Sequence, residues 1–283
     1  MSHSMNGRSI SKWILGFISL VLLLLSALPT SLLAQEHEDF DQYKVKVTGS
    51  WFYSNPSGSF QGQAENAPID VQKDLGFNSY STYGAKADWK FTRKNHLYIS
   101  ISQLNSSHET VLQRTIVFRD KTFEAGLTTQ SSLNVFFAAP GYQYDIIRRK
   151  RGHLGLGVQF NLMDTTAKIS AQAQVTGSEG SQAAAVSASG SLFAPLPVAG
   201  PQYRFYLTNS PRLFIDGDIY GMYFFGYGNF LSTTDYIGVS ITKHLNLTAG
   251  YQLAQRFVVT PQTDRIGLHL TQKGSIVGLE YSF

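Results

Sequence analysis

Apolar and polar residues alternate along much of the chain after residue 42. In the segment YKVKVTGSWFY (43–53), apolar and aromatic residues occupy most odd positions, whereas Lys, Thr and Ser occupy even ones. The segments 83–91, 153–162 and 245–253 alternate in the same way. A period of two with one apolar face predicts β-strands that bury one face only. The pattern therefore indicates an all-β protein, either a soluble sandwich or a membrane barrel.

Three features favour the barrel. The polar faces carry mainly Gly and small polar residues, which suit a crowded barrel interior. Aromatic residues stand near the ends of the apolar bands, as in Trp51 with Tyr53 and Trp89 with Phe91, where interfacial girdles lie. The connections also alternate between short and long, as in transmembrane barrels. The short ones are 92–96, 148–152, 209–212 and 243–244, and the long ones are roughly 55–79, 109–126, 166–199, 226–233 and 254–263.

The spacing predicts ten strands with both termini at the short-turn end. The predicted strands are roughly 43–54, 80–92, 97–108, 127–147, 153–165, 200–208, 213–225, 234–242, 245–253 and 264–283. Near the C-terminus the apolar positions change from even (Leu268, Leu270) to odd (Val277). A bulge near Gly274 would explain the change, and a turn at TQKG would alter the count. The segment RTIVF (114–118) could add a hairpin. We therefore expect a transmembrane antiparallel up-and-down β-barrel of about ten strands, with eight or twelve as alternatives.

The long excursion 166–199 holds a further pattern. Alternation continues over 169–175, which predicts a strand that rises above the membrane and turns near GSEG (177–180). The prolines of FAPLPVAGP (193–201) are expected to end this excursion, because proline cannot donate to a strand ladder. Segment 55–79 is expected to form a short helix or to fold over the mouth. The roles of loops 55–79 and 166–199 stay open.

The N-terminus reads as an export signal. Arg8 and Lys12 precede the apolar run WILGFISLVLLLLSAL, which is followed by Pro29 and by Ala34 at a plausible cleavage point. A retained anchor helix is the alternative, but a membrane span needs about 20 apolar residues. The predicted organisation is a signal peptide (1–34), an acidic periplasmic segment (35–42) and a barrel (43–283).

The C-terminal segment GSIVGLEYSF carries a family resemblance. Its alternating residues Val277, Leu279 and Tyr281, together with the terminal Phe283, resemble the assembly signature of bacterial outer-membrane β-barrel proteins. The resemblance implies a location in the outer membrane, contact with outer-membrane lipid, and recognition of the last strand by the barrel-assembly machinery. It covers residues 43–283 and points to no particular member of this broad class.

Two sets of charged residues follow from this topology. The polar faces are expected to place Lys44, Lys46, Lys86, Asp88, Lys90, Asp216, Asp218 and Glu280 in the lumen. Buried charges must be paired, and Glu280 could meet Lys44 or Lys46. The short turns are expected to form a basic periplasmic rim of Arg93, Lys94, Arg148, Arg149, Lys150 and Arg151. This rim could contact anionic headgroups, or it could simply keep the turns solvated. We also expect the acidic residues of 36–41 to fold back onto it.

The sequence offers little sign of catalysis or cofactors. It has no cysteine, no H-E-x-x-H, no G-x-S-x-G and no P-loop, so no metal or cofactor is expected. Removing 1–34 takes away two basic residues and no acid, which lowers the formal net charge from +4 to +2 and argues against nucleic acid as a partner. A barrel of about eight strands has an interior filled by side chains, so a barrel of about ten strands is expected to have a narrow lumen.

The leading hypothesis is therefore a non-enzymatic outer-membrane barrel with a narrow polar lumen. It would act as a small-solute channel or as a surface-interaction scaffold, with an unidentified external partner. The interior charges could form a structural network or select charged solutes. The alternatives are a barrel enzyme (protease or lipid-modifying) and a soluble secreted β-sandwich that binds a ligand.

Overall fold

The computed structural model describes residues 40–62, 66–118, 121–177, 180–209, 212–224, 228–260 and 267–283. The expected signal peptide (1–34) and residues 35–39 of the acidic segment lie outside the described residues, so both stay predictions. Within the described part of the chain, no helix is long and apolar enough to cross a membrane.

Ten long antiparallel strands close into a barrel. Strand β1 pairs with β13 from Lys46↔Ser282 to Gln61↔Gly267, which joins the two ends of the sheet. The prediction of an all-β, ten-stranded barrel is confirmed. The strands in chain order are β1 (Val45–Gln61), β2 (Ile69–Asp70), β3 (Tyr80–Lys90), β4 (Asn95–Val111), β5 (Ile116–Phe118), β6 (Lys121–Phe123), β7 (Thr128–Arg149), β8 (Gly152–Gly177), β9 (Gly180–Tyr206), β10 (Leu213–Phe224), β11 (Gly228–Ser240), β12 (Leu245–Val259) and β13 (Gly267–Ser282). The three shortest strands, β2, β5 and β6, do not belong to the barrel wall.

The two ends of the barrel differ in their connections. Short turns follow β3, β7, β9 and β11, at the end where β1 begins and β13 finishes. We call this the terminal end, and the opposite one the loop end. The longest described connections, 66–79 and 112–127, belong to the loop end.

The outer surface carries an apolar band. Side chains such as Phe160 and Ile237 are 58% and 65% exposed, respectively, on this surface. Aromatic pairs border the band: the ring centroids of Trp51 and Tyr53 lie 6.2 Å apart, and those of Trp89 and Phe91 lie 5.6 Å apart. An apolar band with aromatic girdles on a closed barrel is the surface that outer-membrane barrels present to lipid.

The interior changes character along the barrel axis. Leu268 and Leu270 are buried inside, and β13 keeps one continuous register with β1. The predicted bulge or turn near Gly274 is therefore wrong, because even-numbered residues of β13 face inward throughout. The register irregularity lies instead in β12, between Gln252 and Gln255. The apolar residues of β13 change from even to odd positions because the lumen is apolar near the loop end and polar near the terminal end.

An apolar plug fills the loop end. Segment 66–79 folds inward and buries Leu75 and Phe77, as the alternative of folding over the mouth anticipated. Strands β5 and β6 pair only with each other and bury Phe118 and Phe123 in the same cluster. The hairpin suspected at 114–118 thus exists, but it does not join the barrel sheet, so the count stays at ten. Strand residues such as Leu133 complete the plug.

Strands β8 and β9 extend beyond their neighbours at the loop end. Beyond the pair Thr129↔Ala171, β8 pairs with β9 alone, up to Gly177↔Gly180. The chain thus reverses direction between these two residues, where the turn was predicted, and residues 178–179 lie outside the described residues. The prolines of 193–201, expected to end this excursion, do not interrupt β9, which continues through them from Gly180 to Tyr206. The N–H of Tyr206 donates to Arg151 on the β8 side, so odd-numbered residues of β9, including Pro195 and Pro197, turn their nitrogens the other way. Strand β10 pairs with β9 only over Ala199–Tyr206, so these prolines interrupt no ladder.

Candidate functional site

The polar part of the lumen contains a dense group of charged residues at the terminal end. We call it the terminal cluster. The segment before β1 and several strands around the barrel contribute to it, because inward-facing positions of different strands meet across a narrow barrel. Its members are Asp41, Lys46, Asp88, Lys90, His96, Asp145, Arg148, His153, Arg204, Asp216 and Glu280.

Asp41 lies at the centre of the terminal cluster, although it precedes the first strand. Its carboxylate Oδ2 is 3.2 Å from Lys90 Nζ and 3.2 Å from His153 Nδ1. The guanidinium groups of Arg148 and Arg204 each approach it to 3.8 Å. The side chain of Asp41 is only 4% exposed, so four basic groups compensate one buried carboxylate. The segment before β1 therefore enters the barrel at its terminal end.

Backbone and ring contacts hold this segment in place. The N–H of Phe40 donates to the carbonyl of Lys150 at 2.9 Å, and the ring of Phe40 packs edge-on against Tyr206 with centroids 5.7 Å apart. Burial favours the neutral form of Asp41, yet Lys90 and His153 outweigh it and hold the pKa of that carboxyl well below its usual range. Asp41 is thus ionised at neutral pH.

Arg204 links opposite parts of the barrel wall. From β9 it donates to Glu280 on β13 at 2.8 Å and 2.7 Å, and it also donates to Asp216 on β10. Glu280 is in turn 3.5 Å from Lys46 Nζ and accepts a hydrogen bond from Asn246 at 2.7 Å. A bidentate pair of this kind fixes geometry strongly, so these strands are tied together across the lumen.

His96 joins the other carboxylates of the cluster. Its Nδ1 lies 3.3 Å from Asp88 and its Nε2 lies 3.1 Å from Asp145, while the hydroxyl of Tyr43 donates to Asp88 at 3.2 Å. Asp145 also accepts a hydrogen bond from Arg148 at 2.9 Å. A register shift in β7 between Asp145 and Ile147 turns Asp145 and Arg148 to the same side, although they are three residues apart.

The structure separates the sequence-predicted residues into groups. Lys46, Asp88, Lys90, Asp216 and Glu280 meet in the terminal cluster. Lys86 and Asp218 are not members of the cluster and line a chamber above it, to which Lys46, Asp216 and Glu280 also contribute. Lys44 is an exception, because it precedes β1 and its side chain is exposed.

The basic rim also needs one correction. Arg93, Lys94, Arg149, Lys150 and Arg151 are exposed at the terminal end. Arg148 is not, because the shift in β7 turns its side chain, 5% exposed, into the cluster. Of the acidic segment, Asp41 contacts Arg148, and Glu36, Glu38 and Asp39 lie outside the described residues. The predicted assembly residues Val277, Leu279 and Tyr281 face outward, and Phe283 follows the end of β13.

Sequence reasoning missed four residues of the terminal cluster. Gln202, Arg204 and Tyr206 occupy alternate positions of β9 and are all buried inside. The alternation in QYRFY alone would therefore have placed Arg204 in the lumen. His96 and His153 stand at the starts of β4 and β8, where they read as turn residues. Asp145 could be placed only with knowledge of the shift in β7.

A polar chamber of about 280 Å³ lies between the terminal cluster and the apolar plug. Tyr98 and Tyr220 reach into it from separate strands, and their hydroxyls lie 2.6 Å apart. We call this pair the tyrosine bridge. Gln202 also donates to Tyr220. Gly141 makes room for the bridge, since a Cβ there would lie 2.4 Å from Tyr98 Cζ.

A smaller apolar pocket of about 50 Å³ adjoins the chamber on the plug side, and Thr82, Ser102 and Phe137 line both. The described lumen thus consists of an ion-paired base, a polar chamber and an apolar plug. In the part of the chain that the structure describes, no group of His, Asp and Glu side chains is arranged to hold a metal ion.

Comparisons with known proteins find likeness in architecture alone. No protein-family model and no curated protein matches the sequence. The outer membrane protease OmpT from Escherichia coli is 8% identical, with a TM-score of 0.48 over 87% of this chain and 100% of OmpT. The attachment invasion locus protein Ail of Yersinia pestis is 10% identical, with a TM-score of 0.35 over 85% and 99%. The toluene transporter TodX of P. putida is 8% identical, with a TM-score of 0.36 over 86% and 91%.

Proposed function

We propose that this protein is a non-enzymatic outer-membrane barrel with a closed lumen, which acts as a surface-interaction scaffold. The observation that supports this most directly is the seating of Asp41 among four basic groups at the terminal end, which we take as periplasmic. Arg204 and His96 tie the surrounding wall together across the same section. The apolar plug, with Phe77, Phe118 and Phe123 buried, blocks the other end.

The β8–β9 extension supports the scaffold role. Residues 172–177 and 180–185 pair only with each other, so the tip contributes no pairing to the barrel. Strands β8 and β9 below it are anchored by buried residues such as Ile169, Ala188 and Leu192. An extension that is anchored at its base and whose described residues pair only with each other near the tip suits contact with an external partner, since loops on a rigid scaffold carry many binding functions.

The closed lumen is tested by planar-bilayer conductance of the refolded mature protein. We expect no discrete current steps, while a general porin in the same bilayer gives them. Heat-modifiable gel mobility must show that the silent protein is folded. Steps of uniform size from the folded protein would contradict closure and would favour passage of solutes.

The scaffold role is tested by deleting residues 172–185. We expect the variant to remain heat-modifiable and to reach the outer membrane, because no barrel strand loses a partner. Intact cells carrying either form are then compared for binding to immobilised polysaccharides and matrix proteins. Equal binding by both across the whole panel would contradict a scaffold that acts through this extension.

The second candidate is passage of small solutes, and the polar chamber favours it. Residues such as Ser100, Gln159 and Thr248 line a space that a purely structural interior would not need. Passage would require both the Asp41 segment and the plug to leave their places. Asp41→Asn with a shortened 113–126 hairpin would then conduct where the unaltered protein does not, whereas a variant that is folded and silent would count against this candidate.

A further inference from the structure

Two of the interior charges stand apart from the rest. Each other charged residue named for the lumen and buried there has an ionic partner within 4 Å, as Lys46 has Glu280 and Asp216 has Arg204. Among the described residues, Lys86 and Asp218 have no such partner and make no hydrogen bond. Charges removed from bulk water are normally compensated. This pair is therefore conspicuous in a lumen that is otherwise ion-paired.

Lys86 and Asp218 face each other across the polar chamber. Lys86 stands on β3 and Asp218 on β10, and these strands are five positions apart in either direction around the ten-stranded barrel. Both line the same chamber of about 280 Å³. The ammonium of Lys86 lies over the ring of Tyr98, 4.7 Å from its centroid, so the tyrosine bridge positions it. The same chamber is also lined by Lys46, Arg204, Asp216 and Glu280, which pair with one another. One wall thus offers the amino group of Lys86 and the opposite wall the carboxyl group of Asp218, and among the described lining residues only these two charged side chains lack an ionic partner within 4 Å.

We propose that the polar chamber binds a small zwitterion, an amino-acid-like molecule with one ammonium and one carboxylate group. Its carboxylate pairs with Lys86 and its ammonium with Asp218. One neutral molecule then compensates both charges, whereas a simple anion or cation compensates one. The remaining lining, including Ser100, Gln159 and Tyr236, supplies hydroxyl and amide groups for further hydrogen bonds. The chamber, at about 280 Å³, lies near the lower end of the roughly 300–1,000 Å³ of drug-sized sites, so it suits a small ligand.

This site is independent of the scaffold role, because a closed barrel can hold a ligand without conducting. The experiment uses glycine, β-alanine, 4-aminobutyrate and 6-aminohexanoate, which separate the two charges by increasing distances. The mature protein is refolded in the presence of each at millimolar concentration, so that closure cannot prevent entry. Binding is then measured by the rise in unfolding temperature and by calorimetric competition.

We expect at least one member of the series to bind, with a preference for one charge separation. Lys86→Met and Asp218→Asn are each expected to weaken that binding about tenfold or more, since a hydrogen bond to a charged group contributes about 1.5–3 kcal/mol. The matched controls Lys273→Met and Asp164→Asn change exposed residues outside the chamber and are expected to leave it unchanged. Acetate and methylammonium, each with one charge, are expected to bind more weakly.

Two results would overturn the proposal. The chamber would be a water-filled structural space if no member of the series bound to folded protein. Equal binding by wild type, Lys86→Met and Asp218→Asn would place the ligand elsewhere. Conductance does not enter either test, so failure of this site and failure of the closed-lumen proposal are separate outcomes.

Discussion

Replacing Asp41 with Asn should destabilise the barrel by about 3 kcal/mol. Asn keeps the volume of the side chain but removes the charge that faces Lys90 and His153 at 3.2 Å. Removing one partner of a buried ion pair typically costs about 3–5 kcal/mol. The lower end applies here for two reasons. Lys90 keeps a hydrogen bond to the backbone carbonyl of residue 41 at 3.0 Å, and Arg204 keeps Glu280 and Asp216.

The assay is equilibrium unfolding of the refolded mature protein, followed through the fluorescence of Trp51 and Trp89 on the outer surface. A loss of 3 kcal/mol lowers the folded-to-unfolded ratio by about 150-fold, well within reach of the method. Asp164→Asn is the matched control at an exposed position, with an expected change within about 0.5 kcal/mol. A loss below about 1 kcal/mol for Asp41→Asn would equal that of an exposed ion pair. The idea that Asp41 is a buried closing residue would then be refuted.

The pH dependence of Asp41, the packing at Gly141 and the C-terminal residue Phe283 each give one more test. The pKa of Asp41 is lowered in the folded state, so its contribution to stability is present above its unfolded pKa of about 3.9 and is lost as pH falls below that value. The difference in unfolding free energy between wild type and Asp41→Asn should therefore be smaller at pH 3 than at pH 7. An unchanged difference would contradict this role of the Asp41 charge. Gly141→Ala should lower the free energy of unfolding by about 1–3 kcal/mol, because the added Cβ overpacks against Tyr98. Gly49→Ala is the control and should cost far less, because nothing lies within 4 Å of its added Cβ. Similar losses for both variants would count against close packing around the tyrosine bridge. Deletion of Phe283 should reduce the amount of heat-modifiable protein in outer-membrane fractions if the C-terminal resemblance holds, and an unchanged yield would count against it.

Local alternation, together with the succession of short and long connections, predicted about ten strands, because each strand has one lipid-facing side and the period of two survives even where the inner side is polar. The exposed Val277, Leu279 and Tyr281 on β13 are an example. The same rule failed at Leu268 and Leu270. There the inner side is apolar too, because segments 66–79 and 112–127 fold in from distant parts of the chain, and no local pattern encodes that packing.

The candidate site was predictable only in part, for a related reason. Parity along regular strands placed Asp88 and Glu280 correctly inside. Alternation could not place Arg148, because the register shift in β7 reverses which positions face inward. It could not place Lys44 either, because β1 begins one residue later, at Val45. The contact of Asp41 with Lys90 and His153 joins residues far apart in sequence, so it depends on barrel closure as a whole.

On the closed-lumen proposal, the folded barrel shields its polar chamber from the solution on both sides. The chain has no cysteine, so single cysteines can report on this directly. Ser100 lines the chamber, and Ser107 lies on the same strand at an exposed position. With a charged, membrane-impermeant thiol reagent, we predict that Ser100→Cys reacts far more slowly than Ser107→Cys in the folded protein, and at the same rate after unfolding. Equal rates in the folded protein would mean that the chamber is open, and would contradict the closed barrel.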